Sequence, residues 1–247
     1  MRNFKNKPIL FRGFVRFINI FYHKRTYTGV ENLKSPSIII TNHSQIHAPL
    51  THTLFFPTDA HFWCIADMLH YKTFSRHAYQ GFWSGKPKSV RWIFKIASYV
   101  LLPLAWFFRR ANLIPVYHDH RIKKTIEVTL DLLNKGHDIL ICPEKWDGFD
   151  GITNEFHDKF VDVAKLYYRK TGVALDILPM YTCPALKTNV IGKPIKFNPD
   201  APIVEERARV VEYIRTSIKD LAISLPRHRV VPFNNVGKDV QPMSKPE

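Results

Sequence analysis

Residues 9–22 (ILFRGFVRFINIFY) place Leu10, Phe14, Phe17, Ile18 and Phe21 three and four apart, with Arg12, Arg16, Asn19 and His23 recurring on the other side. That is the period of a helix with one apolar and one basic face. Such a helix can lie in a bilayer interface, its aromatic groups among acyl chains and its cations at lipid phosphates; the alternative is a helix packed on the protein's own core. A second apolar stretch, Ile96 to Phe108, closes on Arg109 and Arg110. It falls short of the roughly 20 residues that a spanning helix needs, and Pro103 interrupts it. It predicts either an interfacial or re-entrant segment, with Trp92 and Trp106 at headgroup depth, or a buried core helix.

Beyond these stretches the pattern alternates. Short β-rich runs bounded by turn residues predict strands at Ser37–Thr41, Asn112–Val116, Asp138–Cys142, Ala174–Tyr181 and Thr188–Gly192. Helical spacing appears over 120–135, 155–170 and 203–225, with Gly136 and Gly172 just past the first two as C-caps and Pro226 after the third. Alternation of this kind predicts a single-domain α/β fold, with a largely parallel or mixed central sheet, helices on both faces and an added N-terminal amphipathic helix. The expected organisation is a membrane-associating helix at 1–28, an α/β domain at 29–234 and a flexible tail at 235–247.

Charge adds a partner to this picture. Residues 1–118 carry 16 basic and three acidic side chains, whereas 119–247 carry 20 and 18. A field so one-sided implies a polyanion, either nucleic acid or an anionic membrane surface. The cations are interleaved with long apolar runs and no nucleic-acid-binding motif appears, which favours the membrane. The three cysteines, Cys64, Cys142 and Cys183, are far apart and form no Cys-x-x-Cys pair, so neither a disulfide framework nor a cysteine zinc site is expected. No signal-peptide pattern is present, and the expected location is the cytoplasmic face of a membrane, peripheral or monotopic.

Candidate chemistry concentrates at two strand ends. Ile38-Ile39-Ile40-Thr41-Asn42-His43 is an apolar run that delivers an imidazole at its carboxyl end, where α/β proteins build their sites. About a hundred residues later Ile139-Leu140-Ile141-Cys142-Pro143-Glu144 delivers a carboxylate in the same way. If the two strands are parallel in one sheet, His43 and Glu144 emerge on the same rim, with His43 as a general base. His47, four residues on, would share a helical face with His43. That spacing, with His52 and the His118-Asp119-His120 run, raises a histidine-rich metal site. A His-Glu-x-x-His helix, however, needs a glutamate directly after its first histidine, and Ser44-Gln45 supplies none, so no metal is expected.

These segments resemble the glycerolipid acyltransferases of the lysophosphatidic acid acyltransferase type. The family's Asn-His-x4-Asp, commonly followed by Pro-Leu, is matched by Asn42, His43, Pro49 and Leu50; its Phe-Pro-Glu-Gly-x-Arg by Cys142-Pro143-Glu144; and its apolar strand ending in proline by Ile177-Leu178-Pro179. Order and spacing agree from about residue 30 to 197. The departures fall on functional positions. Ala48 stands for the aspartate that holds the histidine, His118 lies on or near the place of the second-motif arginine, and Lys145 and Asp147 replace the third motif's glycine and arginine.

The resemblance implies transfer of a fatty acyl group from an acyl thioester to the hydroxyl of a lysophospholipid or another glycerol-type acceptor, with His43 as base. The donor would be acyl-CoA or acyl carrier protein, and no bound cofactor is implied. Asn42, Pro143, Glu144, Lys145 and His118 are the expected substrate-binding residues, Glu144, His47, Asp147, Asp67 or Asp119 a substitute partner for His43, and Phe14, Phe17, Phe21 and Trp106 the membrane contacts. Lys86, Lys88, Arg91, Arg121, Lys123 and Lys145 are the cations available for phosphate groups. In serine proteases the loss of an orienting acid costs on the order of 10⁴ in rate. The same residues therefore also fit a weak or inactive lipid-binding relative on the same fold.

Overall fold

The computed structural model describes residues 4, 6–22, 24–82, 87–100, 102–233 and 242–246. In chain order the elements are α1 (Ile9–Phe21), β1 (Thr26–Thr28), β2 (Ser37–Thr41), α2 (His47–Phe55), β3 (Ala60–Ile65), α3 (Tyr71–Phe82), α4 (Arg91–Val100), α5 (Leu102–Arg110) and β4 (Leu113–Val116). There follow α6 (Ile122–Asn134), β5 (Asp138–Ile141), α7 (Val161–Thr171), β6 (Asp176–Cys183), β7 (Thr188–Ile191), β8 (Ile195–Lys196) and α8 (Ile203–Ser224). The fold is α/β with a mixed, mostly parallel sheet. It forms two compact units, one of residues 1–2, 23–62 and 126–247, the other of residues 3–22 and 63–125.

The first unit holds the strand order β1-β7-β6-β2-β5-β3. β2 lies parallel between β5 and β6, with Ile38 opposite Ile139 and Ile177, and Ile40 opposite Ile141 and Pro179. All five residues of β2 and all four of β5 are buried, the reason both read as unbroken apolar runs instead of alternating ones. β7 and β8 run antiparallel to β6. At the amino end of the central strands the buried Asp138 carboxylate accepts hydrogen bonds from the Ser37 N–H (3.0 Å) and from the hydroxyls of Ser37 (2.8 Å), Ser35 (2.7 Å) and Thr58 (2.6 Å). That one side chain ties β2, β5 and the approach to β3 together.

The expected helix at 155–170 begins later, at Val161. Residues 155–157 instead fold back on the end of β5: Lys145 N–H donates to Glu155 O (2.7 Å), His157 N–H to Pro143 O (2.8 Å), and Phe156 forms an antiparallel bridge with Glu144. Gly172 does cap α7 in the left-handed conformation (φ 72°), donating its N–H to Tyr168 O at 2.7 Å. The tail expected from 235 lies outside the described residues as far as 241. Residues 242–244 pair with 228–230, with Val230 N–H to Pro242 O (2.8 Å) and Ser244 N–H to His228 O (3.0 Å). That pairing gives this part of the tail backbone partners that sequence polarity does not reveal.

In the second unit the stretch expected as one apolar segment from 96 to 108 is two helices, α4 and α5. Pro103 sits in the first turn of α5, where its missing N–H costs no helical bond. α1 packs on α5: Phe11, fully buried, stacks on Phe107 (5.2 Å between centroids), and Phe14 meets Trp106 (6.0 Å) and Phe107 (5.6 Å). The inward face of α1 is therefore Phe11, Phe14 and Val15. The outward face carries Ile9, Leu10, Phe17 and Ile20, each more than half exposed, flanked by Arg12 and Arg16. Of the expected membrane contacts, Phe17 is exposed, Phe14 and Trp106 are in the aromatic cluster, and the Phe21 side chain lies outside the described residues. Among the described residues no helix is long and apolar enough to cross a membrane.

Candidate functional site

The site in the first unit grows from the carboxyl ends of β2, β5 and β6. At the end of β2 the buried Asn42 spends its whole amide within the protein. Nδ2 donates to Ser44 Oγ (2.8 Å) and Thr182 O (3.0 Å), and Oδ1 accepts from Thr182 N–H (2.7 Å) and Thr41 Oγ1 (3.4 Å). Two donors and two lone pairs are thus satisfied. Asn42, expected to bind substrate, instead locks β2 to β6 and sets where the next residue emerges.

That residue is His43. The chain turns through left-handed Ser44 (φ 47°) and Gln45 (φ 55°) before α2 begins at His47. His43 is outside the helix, so the expected shared helical face of His43 and His47 does not form. Across the rim from the end of β5, Glu144 Oε2 accepts the backbone N–H of His43 (2.5 Å), and Oε1 accepts that of Asn154 (3.0 Å). The two strand ends read from sequence do meet on one rim, through the histidine's backbone.

Burial dominates the electrostatics. It depresses the His43 imidazole to about 4, with the nearby Gln45 backbone offsetting a part, so the ring is neutral at pH 7. It raises the Glu144 carboxyl to about 7, against the lowering effect of its two backbone hydrogen bonds, while the charge of Asp150 pushes the same way as burial. Among the described residues, the buried His43 Nδ1 has no hydrogen-bond partner. Ala48, where the family's aspartate would stand, is fully buried, and its N–H donates to His43 O at 3.3 Å. Neither His47 nor Asp147 bonds to Nδ1: His47 is part-exposed, its imidazole lowered by burial and by the Arg25 charge, and Asp147 is exposed.

Pro143 is buried under the site, and Lys145 Nζ pairs with Glu155 Oε2 at 3.1 Å. Two aromatic residues the sequence did not single out also reach the site. The Phe233 ring lies 4.5 Å from that of His43, and Trp146 lies 4.9 Å from Phe233. Behind Asn42, His52 Nε2 meets Thr182 Oγ1 (2.8 Å) and its Nδ1 meets the Tyr27 hydroxyl (2.9 Å). Burial lowers this second imidazole to about 3. The His52 and Thr182 pairing joins α2 to β6; only the polarity of His52 in an otherwise buried helix hints at it in the sequence.

His118 belongs to the second unit. It is exposed, in a cleft of about 240 Å³ where β3 and β4 end, lined also by Ile65, Asp67, Tyr117, Asp119 and Arg121. Arg121 forms a two-pronged ion pair with Asp119 (3.0 and 2.7 Å) and lies over the Tyr117 ring. Of the other expected phosphate cations, Lys86 and the Lys88 side chain lie outside the described residues.

No protein-family model and no curated protein matches the chain. Among solved structures it is similar to the 1-acyl-sn-glycerophosphate (LPA) acyltransferase PlsC from Thermotoga maritima, at 16% identity and a TM-score of 0.46 over 90% of this chain and 84% of that one.

Proposed function

We propose that the protein is a membrane-docked O-acyltransferase, with an acyl thioester of coenzyme A or acyl carrier protein as donor and a lysophospholipid or another glycerol-type hydroxyl as acceptor. The observation that carries this reading is the meeting of Asn42-His43 and Pro143-Glu144 at the ends of two paired parallel strands, joined by the Glu144 to His43 hydrogen bond. It is supported by the motif order around those residues.

In this mechanism the acceptor hydroxyl attacks the thioester carbonyl while neutral His43 takes its proton. The tetrahedral intermediate then breaks its C–S bond, and the imidazolium returns the proton to the departing thiolate. An imidazole with a pKa near 4 is a weak base because its charged form is poorly stabilised. The charge that position 48 no longer supplies comes, in this proposal, from Glu144, held on the histidine's own backbone and poised near neutrality. Phe233 packs against the ring, and Phe233 with the exposed Trp146 beside it would offer an apolar surface to the acyl chain. Docking would use the outward face of α1, Ile9, Leu10, Phe17 and Ile20 beside Arg12 and Arg16, at the cytoplasmic surface of an anionic membrane.

The unpartnered Nδ1 and the buried Ala48 favour a second reading, a lipid-binding protein without turnover. Acyl transfer from a panel of thioesters to lysophosphatidic acid and other hydroxyl acceptors separates the two. Turnover that is lost in His43→Ala supports the enzyme. Lipid binding with no turnover for any pair supports the second reading and overturns the first.

A further inference from the structure

At the other end of the same sheet, where β3 and β5 begin, the register places three metal-ligating side chains together. Ala60 pairs with Asp138 and His61 with Ile139, so Asp59 and His137 are neighbours one step earlier. Side chains alternate along a strand. Asp59 and His61 therefore share a face of β3, and His137 stands on the same face of the adjoining strand. Asp138 and Thr58 turn to the opposite face, where the Thr58 hydroxyl donates to the Asp138 carboxylate at 2.6 Å.

The ligand atoms are close. One from each of Asp59, His61 and His137 lies within 4.8 Å of the other two. The His137 Nδ1 to Asp59 Oδ2 distance is 3.3 Å, and the two imidazole rings sit 5.1 Å apart, nearly edge to face at 73°. Ligands bound tetrahedrally at about 2.1 Å are about 3.4 Å from each other, so one edge of the triangle already has that length. The side chains of Asp59 and His137 are 60% and 28% exposed, which leaves room for small rotamer changes and for a water in a fourth position.

We propose that Asp59, His61 and His137 bind a divalent first-row metal ion of the zinc class. Two neutral imidazole nitrogens and one carboxylate oxygen suit a borderline metal better than calcium or magnesium, which take oxygen sets. Bound there, the ion clasps the start of β3 to the start of β5, far along the strands from His43. His61 and His137 are 76 positions apart with no metal-binding motif around either, so only strand pairing reveals the set.

The test uses the full chain stripped with a chelator and titrated with Zn²⁺ against a chromophoric competitor, with Co²⁺ absorption as a second probe. The expected result is one stoichiometric site, weakened about tenfold or more by His61→Ala, by His137→Ala and by Asp59→Asn, since even outer-shell changes at metal sites cost that much. His120→Ala with His157→Ala, both exposed elsewhere, leaves it unchanged. Zn²⁺ raises the thermal midpoint of the wild type and not of the ligand variants, whose metal-free midpoints match the wild type, separating a lost ligand from a lost fold. Absence of a saturable site in the wild type, or a site whose affinity survives His61→Ala and His137→Ala, overturns the proposal.

Discussion

Glu144 grips His43 by its backbone: the carboxylate at the end of β5 accepts the N–H of the residue that follows Asn42 at the end of β2. The same carboxylate holds the N–H of Asn154 in the returning loop, so it fixes both the histidine and the floor beneath it. For an acyltransferase, His43→Ala lowers transfer by about 10²- to 10⁴-fold, the usual contribution of a positioned base. Glu144→Gln puts an amide NH₂ against one of the two N–H donors and removes the charge, so it lowers kcat while leaving binding of the acceptor nearly intact. Steady-state kinetics with both variants checks this, and a Glu144→Gln enzyme of full kcat counts against the carboxylate's role.

Ala48→Asp tests the missing acid directly. Ala48 follows His43 at the motif spacing and its N–H already bonds to His43 O, while Nδ1 lacks a partner. A carboxylate at this position raises the His43 pKa from about 4 and increases the transfer rate. NMR titration of the imidazole measures the first effect and turnover the second. A raised pKa with slower turnover means that the Glu144 arrangement already occupies the catalytic geometry.

Much of this rim is legible in the sequence, for a physical reason. Strands buried on both faces appear as continuous apolar runs, so SIIIT and DILI announce themselves and their polar successors mark the rim. β1 has only three residues, and β3 (AHFWCI) mixes His61 and half-buried positions into its run, so neither stands out. The contact of Phe233 with His43 joins residues 190 positions apart, and no local pattern encodes such a pairing. Asn42 is legible as important from its place after the apolar run, but only the structure shows its four hydrogen-bonding positions filled by Thr182, Ser44 and Thr41.

Asp138 at the opposite end of the central strands carries a stability prediction. Its carboxylate takes one backbone N–H and three hydroxyls in a buried setting. Hydrogen bonds to a charged group contribute more than neutral ones, and a buried donor left without a partner adds its own penalty. Asp138→Ala is expected to lower unfolding free energy by about 3 kcal/mol, with Asp138→Asn, which keeps an acceptor, losing less. Urea unfolding of the two variants gives the order.

The pH dependence of stability has a sign that the buried groups set. His43 (about 4), His47 and His52 (about 3) have folded pKa values below the ordinary 6.5. Between roughly pH 4.5 and 6.5 the unfolded chain binds protons that the folded one refuses at these rings, so they make stability rise with pH. Glu144, raised from 4.5 to about 7, holds a proton in the folded state that the unfolded state has released, so it makes stability fall with pH across the same window. Three rings against one carboxyl give a net rise, and Glu144→Gln steepens it. Unfolding curves at half-unit steps of pH measure both slopes; a shallower slope in the variant sinks the assignment.

The proposed membrane docking rests on which apolar face of α1 is exposed. Helical spacing suggests one apolar face that holds Leu10, Phe14 and Phe17 together, with the arginines opposite; packing splits it, since Phe11, Phe14 and Val15 turn inward whereas Ile9, Leu10, Phe17 and Ile20 face outward beside Arg12 and Arg16. Replacing Phe17 and Ile20 by Glu removes apolar area from the docking face and sets carboxylates against anionic lipid, while costing the fold little because both residues are exposed. The double variant is expected to lose co-sedimentation with vesicles containing phosphatidylserine and keep its thermal midpoint. Phe14→Glu instead buries a charge among Trp106 and Phe107, so its midpoint falls. Vesicle binding by Phe17→Glu/Ile20→Glu equal to that of the wild type would assign docking to another surface, for which the exposed Trp92, Ile93, Ile96 and Tyr99 of α4 are next in line.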